Sequence, residues 1–237
     1  MKKTKKRGKI NLKKDNKRIS TGISGLDKLI KGGFRKNSTN LVVGGTGSGK
    51  TILAMQFLIQ GIKKNEACLF ITFEEEKKAF YSNMKELGWD LESLEKKGKF
   101  YFMEYTPEKV KTMLDEGGGM IESLVLRKEI KRVVIDSITS FGLLFDDNLE
   151  KREAALSLFD LLRKWECTTI LTYERDPSVN ETNIKALEFE SDSIILLYYI
   201  KEKTQRKRYL EILKMRGTEH SHKMHSLLIK KSGIFVR

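Results

Sequence analysis

The chain has 237 residues, 33% of them charged and 39% in the hydrophobic set, with a formal net charge of +14. That length can bury a full core but is short for two typical domains, so one domain plus a tail is expected. No apolar run reaches the about 18 residues that cross a bilayer, and the basic N-terminus has no apolar segment behind it; neither a membrane span nor a secretory signal is expected, and the expected location is cytoplasmic.

Ten basic side chains stand against Asp15 between residues 2 and 18, which places +9 of the net charge there. A run so charged and so poor in apolar residues does not offset the entropy of ordering itself. Residues 1–17 are therefore expected to form a disordered arm. It is either a solvated arm or a contact for nucleic acid or an anionic membrane surface.

From residue 18 onward the pattern alternates. Apolar, β-branched runs predict strands at Leu41–Val43, Leu69–Phe73, Lys99–Met103, Val133–Ile135, Thr168–Thr172 and Ser193–Ile200. Helical stretches fall between the earlier ones, at Thr51–Lys63, Glu76–Leu87, Met120–Ile130 and Leu149–Trp165. Strand then helix, repeated, predicts an α/β fold whose mostly parallel central sheet is covered on both faces. The chain then changes character: Tyr198–Ile200, Arg208–Met215, Leu227–Ile229 and Ile234–Val236 read as successive strands, a C-terminal antiparallel extension at one edge. Trp89 and the stripe Leu156, Phe159, Leu162 are assigned to the core. The stretch DEGGGM from Asp115 is expected to be a flexible link without a second phosphate site. Cys68 and Cys167 each adjoin an apolar run and are expected to act as small buried hydrophobes.

Gly44 to Thr51 read GGTGSGKT, between the apolar strand LVV and the apolar helix ILAMQFLI. Its glycines permit a backbone path that turns N–H groups of Gly45, Thr46, Gly47, Ser48 and Gly49 toward bound phosphates. Lys50 adds a point charge, Thr51 a hydroxyl for Mg²⁺, and Ile52 continues the helix whose positive end faces the same phosphates. This is the sequence of a nucleotide-binding P-loop.

Acidic residues follow two later strands. Asp136 ends RVVID, where a carboxylate can hold Mg²⁺ through water beside the phosphates. Glu74 and Glu75 follow LFITF at the carboxyl edge of the sheet, where a carboxylate can orient or deprotonate a water attacking the terminal phosphate. Glu76 is better read as the first turn of a helix, where the dipole favours it.

The run RISTGISGLDKLIKGGF, then TFEE, GWDLESL, RVVIDSITS, TTILTYER, ESDSIILL and LEILKMRGTEH resemble the KaiC-type branch of the RecA superfamily, over residues 18–237. TFEE with KMRGTEH is the specific part. The resemblance implies a RecA-like P-loop core that hydrolyses ATP with Mg²⁺ in a ring-shaped homo-oligomer, usually a hexamer, with ATP between neighbours. Under it Glu74 and Glu75 are the catalytic carboxylates, and Thr51 and Asp136 serve Mg²⁺. Lys214, Met215, Arg216, Thr218 and His220 would reach the nucleotide of the adjacent subunit. A cation supplied in trans can stabilise charge developing on the γ-phosphate; the plainer reading of KMRG is a basic strand ending in a turn at Gly217.

The family's clock protein carries two such domains in tandem, whereas this chain has one. Neither the tandem ring nor the second-domain autophosphorylation sites are carried over, autokinase activity stays open, and no clock role is expected. His220, His222 and His225 form an H-x-H-x-x-H cluster with no cysteine or carboxylate at a convincing metal spacing. The leading reading is a ring ATPase whose nucleotide state regulates an unidentified protein partner. Two alternatives remain: an ATP-binding scaffold of the archaellum-motor type with little turnover, and a recombinase-like ATPase acting on DNA.

Overall fold

The computed structural model describes residues 17–106, 109, 112, 116–140, 145, 147–178 and 185–237. The basic arm up to residue 16 and the Asp115 end of the DEGGGM link lie outside the described residues.

Among the described residues nine strands form one sheet in the order β11-β10-β9-β8-β3-β7-β6-β4-β5. Six of them are parallel: β3 (Thr39–Gly44), β4 (Ala67–Thr72), β5 (Phe100–Glu104), β6 (Ile130–Asp136), β7 (Thr168–Glu174) and β8 (Ser193–Glu202). The remaining three, β9 (Gln205–Met215), β10 (His225–Lys230) and β11 (Gly233–Val236), run antiparallel along the β8 edge. The expected parallel sheet and antiparallel extension are both present. A separate two-stranded sheet pairs β1 (Arg18–Ile19) with β2 (Phe34–Arg35).

Strand side chains alternate between faces, so one run of apolar residues feeds two cores. Val42, Phe70, Val134, Ile170 and Ile195 join α2 (Lys50–Lys63) and α3 (Lys77–Glu86) in one cluster. Leu41, Val43, Leu69, Ile71, Val133, Ile135 and Leu171 face the other way, onto α5 (Gly119–Arg127) and α6 (Asn148–Lys164). Full burial of each such side chain contributes about 1.5–3 kcal/mol. Gln56 then fastens the antiparallel edge to α2: its Oε1 accepts from Ile234 N at 2.6 Å, and its Nε2 donates to Ile234 O at 3.2 Å.

Several expectations shift in detail. Ile130 opens β6 instead of closing the helix before it, because Arg127 ends α5 and Glu129 takes a positive φ that breaks the helix. Phe159 and Leu162 are buried, but Leu156 lies on the outer face of α6; the inward stripe runs instead through Ala155, Leu158, Leu161 and Trp165. Trp89 is buried as expected. Two short helices carried no periodic signal: α4 (Leu91–Lys96), whose N-cap Asp90 accepts from Ser93 N at 3.1 Å, and α7 (Lys185–Glu190). A third short helix is α1 (Leu26–Leu29). Both cysteines are free and buried, and burial pushes each thiol up to about 12. No helix of the described residues is long and apolar enough to cross a membrane.

Candidate active site

The site lies at the carboxyl ends of the parallel strands. Gly44 ends β3, the loop follows, and α2 begins at Lys50 with Gly49 (φ 105°) as a left-handed N-cap that offers no side-chain hydrogen bond. The first N–H groups of α2 are thus free of any side-chain cap, an arrangement suited to an anion. A Cβ on Gly44 would stand 2.4 Å from Ser48 Oγ, so the loop closes only on a glycine there. Ser48 Oγ itself is buried and makes no hydrogen bond among the described residues. The turn is braced within, by Ser48 N and Lys50 Nζ, which each donate to Gly45 O at 3.2 Å.

Thr46, Gly47, Gly49, Lys50, Thr51 and Ile52 line a cleft of about 410 Å³ together with Glu74, Glu75 and Asp136. β6 and β4 pair so that Asp136 stands opposite Thr72, which is why the carboxylates of two strand ends meet. Asp136 is buried and its Oδ1 accepts from Thr172 Oγ1. The Glu74 and Glu75 N–H groups both donate to Thr72 Oγ1, at 3.2 and 3.1 Å, which bends the chain out of β4 into the cleft. Glu74 Oε1 accepts from Ser137 Oγ and Ser140 Oγ, each at 3.3 Å. Glu75 is half-buried; burial, then Asp136 and Glu74, raise its carboxyl above the ordinary range. Glu76 is the N-cap position of α3, outside the cleft, and Glu104 Oε1 accepts the Lys77 N–H beside it at 2.9 Å.

The donor set fits a nucleoside phosphate with Mg²⁺. Loop N–H groups and Lys50 suit phosphate oxygens, while Thr51 and Asp136 are hard oxygen ligands on the same cleft. Among the described residues no three His, Cys, Asp or Glu side chains group into a metal site, so the ion would draw its remaining ligands from phosphate and water. The three histidines make none either: His225 Nε2 is hydrogen-bonded to Ser221 Oγ at 2.7 Å.

Two charged residues of the cleft, Glu174 and Arg208, are additions to the site read from the sequence. Glu174, the last residue of β7, pairs with Lys50 Nζ at 3.3 Å and accepts from Thr46 Oγ1. Arg208 of β9 donates from Nε to Gly47 O at 2.8 Å. The rule that found Glu74 and Asp136, acidic residues at carboxyl ends of parallel strands, applies equally to Glu174.

The KMRGTEH residues lie elsewhere. Lys214 pairs with Ile194 at the start of β8, and Ile194 pairs with Leu41 of β3. Arg208, beside the loop, is six residues away, about 20 Å along an extended strand. Lys214 Nζ donates to Glu188 O at 2.7 Å and Phe189 O at 3.0 Å, and Arg216 also donates to Phe189 O, so both cations cap the end of α7. Met215 is buried in the core, which leaves only its main chain for any contact outside the subunit. Thr218 Oγ1 accepts from Arg18 at 2.7 Å, and His220 Nδ1 lies 3.0 Å from Ser221 O.

A family model described as "ATPase: KaiC" matches residues 19–237. The circadian clock protein KaiC3 of a Synechocystis species is 33% identical over 92% of this chain, and the KaiC oscillator protein of Prochlorococcus marinus is 35% identical over 95%. These matches span 45% and 46% of the relatives, so the chain covers less than half the length of the curated proteins it resembles. The crystal structure of a KaiC-like protein from Pyrococcus horikoshii superposes with a TM-score of 0.82 at 36% identity, covering 93% of this chain and 99% of that one. With a P-loop, a RecA-like sheet order and a match over nearly every residue from 19 onward, the chain belongs to the KaiC family of ATPases.

Proposed function

We propose that this chain binds ATP with Mg²⁺ in the P-loop cleft and hydrolyses it within a ring-shaped homo-oligomer of about six subunits, whose nucleotide state regulates a protein partner. The observation that carries the proposal is convergence. Lys50 and Thr51 from the loop, Glu74 and Glu75 from the end of β4, and Asp136 from the end of β6 line one cleft.

The residues divide the work by their surroundings. Lys50 and the loop N–H groups hold the phosphates, and Thr51 and Asp136 hold the ion. Mg²⁺, when bound, neutralises phosphate charge. Glu75 is the base: its raised carboxyl accepts a proton more readily than an ordinary carboxylate, and Glu74, fixed by Ser137 and Ser140, orients the water beside it. The ring reading draws on the far end of β9. Lys214 and Arg216 are too distant for their own cleft, and the exposed apolar side chains of Phe189 and Leu213 adjoin them, as a subunit contact requires.

Phosphate release from ATP, with and without Mg²⁺ and single-stranded DNA, tests this alongside calorimetric titration of the parent and Lys50→Ala. Mg²⁺-dependent turnover without DNA, and at least a tenfold loss of affinity in a folded Lys50→Ala chain, is the expected result. Binding without turnover would instead indicate a scaffold, and DNA stimulation a recombinase-like ATPase. Unchanged affinity in Lys50→Ala would reject the P-loop reading.

A further inference from the structure

We infer that Glu174 is a selectivity residue of the cleft, a built-in carboxylate that competes with the terminal phosphate of a nucleoside triphosphate for Lys50 and Thr46. The inference rests on the reading that the cleft binds nucleoside phosphates.

The position of Glu174 is dictated by the sheet. β7 pairs in parallel with β3 so that Glu174 stands opposite Gly44, the residue that opens the loop. Two backbone bonds pin it there: Glu174 N donates to Thr139 Oγ1 at 2.7 Å, and Arg175 N donates to Gly44 O at 3.2 Å. Its side chain then has two donors in reach, the Thr46 hydroxyl on one carboxylate oxygen and Lys50 Nζ on the other at 3.3 Å. A carboxylate bridging a lysine and a loop hydroxyl occupies the same kind of donors that phosphate oxygens require. The Thr46 bond, then the Lys50 charge, hold the Glu174 carboxyl below the usual range, so it is ionised at neutral pH and repels an incoming phosphate.

The other acids of the cleft have different partners. Asp136 is bonded to Thr172 and Glu74 to Ser137 and Ser140. Among the described residues Glu174 is the carboxylate that pairs with Lys50. A P-loop lysine serves both the β- and γ-phosphates. A diphosphate can use Lys50 while Glu174 keeps part of its contact; a triphosphate needs the lysine's outer side and must displace it. Because the Glu174 side chain is 47% exposed, it can be displaced into solvent without rebuilding the sheet. Glu174 therefore tilts the cleft toward the diphosphate.

The test is calorimetric titration of the full chain with ADP and with the β,γ-imido analogue of ATP, which is not hydrolysed, for the parent, Glu174→Gln and Glu174→Asp. Glu174→Gln keeps the size and removes the charge; its affinity for the triphosphate analogue should rise about tenfold and its affinity for ADP less than about threefold. Glu174→Asp, charged but too short to bridge both donors, should fall between. Circular dichroism confirms the fold of each variant. Equal changes for both nucleotides, or weaker binding of the analogue, would overturn the inference while leaving the cleft a nucleotide site. A folded parent that binds neither nucleotide would overturn the nucleotide reading and the inference with it.

Discussion

Arg208 on β9 and Arg216 in the turn just past its end serve opposite ends of the sheet. Arg208 holds the Gly47 carbonyl, its guanidinium 4.2 Å from the centre of the Tyr199 ring, while Arg216 caps α7 at the other end of β9. Tyr199 also backs the loop, within 3.4 Å of where a Cβ on Gly47 would stand. Replacing Arg208 by Ala removes both a cation of the cleft and a brace of the loop, so ATP and ADP should each bind about tenfold more weakly. Arg208→Lys should recover only part, since an ammonium does not stack on Tyr199 while holding Gly47 in the same geometry. Titration calorimetry measures both. Unchanged affinities would confine Arg208 to packing against Tyr199.

Glu75 should impose a pH dependence on hydrolysis. Its carboxyl is raised by burial, Asp136 and Glu74. Below that raised value Glu75 is protonated and cannot accept a proton; as pH rises through it, the rate should climb. Glu75→Gln should lose that limb and about 10²–10⁴-fold of the rate, with ATP still bound. Stability runs the other way. A raised folded-state value favours folding below the ordinary carboxylate range, and that contribution is lost as pH rises through the folded value. Glu75→Gln should therefore melt a degree or two higher at neutral pH and equally at acid pH, the effect kept small by solvent screening. A pH–rate profile with the same limb in parent and variant would assign the base elsewhere.

These residues also show what a sequence can reveal. GGTGSGKT is legible because its chemistry is local: positive-φ glycines, a lysine and a hydroxyl within eight positions, between a strand and a helix. Asp136, Glu74 and Glu75 are legible because strand ends at the carboxyl edge of a parallel sheet share one crevice. Glu174 ends β7 and answers to the same strand-end rule, whereas Arg208 contacts the loop across 161 residues, through a register of β9 that no local pattern encodes. The six-residue helices α4 and α7 are too short for periodicity to mark. Leu156 misleads for the opposite reason: a spacing of three along α6 drifts off the buried face, which follows 3.6.

A buried arginine paired with a partly exposed glutamate underpins the other end of the sheet. Arg132 is 1% exposed; its Nε donates to Glu66 Oε2 at 2.6 Å and its NH1 to the carbonyls of Ser20 and Phe57, each at 2.9 Å. Glu66→Ala leaves that guanidinium without its counter-charge and should cost about 2–4 kcal/mol in urea unfolding. Gly61→Ala should be comparably destabilising, because its Cβ would stand 2.5 Å from Arg132 Nε. Stability within about 0.5 kcal/mol of the parent in both would show that the cluster relaxes freely.

The subunit-sharing proposal makes the sharpest claim, because Lys214 and Arg216 already have bonds within their own chain. Both donate to carbonyls at the end of α7, which is the structural alternative to a role at a neighbour's nucleotide. The alternatives differ in what a mixture of variants does. If the cations only cap α7, Arg216→Ala loses a modest amount of stability and keeps its turnover, since its own cleft lies more than about 20 Å away, beyond the length of β9 that separates Lys214 from Arg208. If Arg216 acts in trans, Arg216→Ala should bind ATP normally and hydrolyse it roughly a thousandfold more slowly, the scale on which arginine fingers act. The double change Glu74→Gln/Glu75→Gln should be equally inactive, for want of a base. Mixing the two inactive proteins under conditions that exchange subunits creates interfaces with the glutamates of one chain and the Arg216 of the next, both intact. Activity should then reappear, in proportion to the fraction of such interfaces measured by native mass spectrometry. Mixed rings that form and stay inactive, or a fully active Arg216→Ala, would reduce KMRG to the cap of α7 and the turn at Gly217.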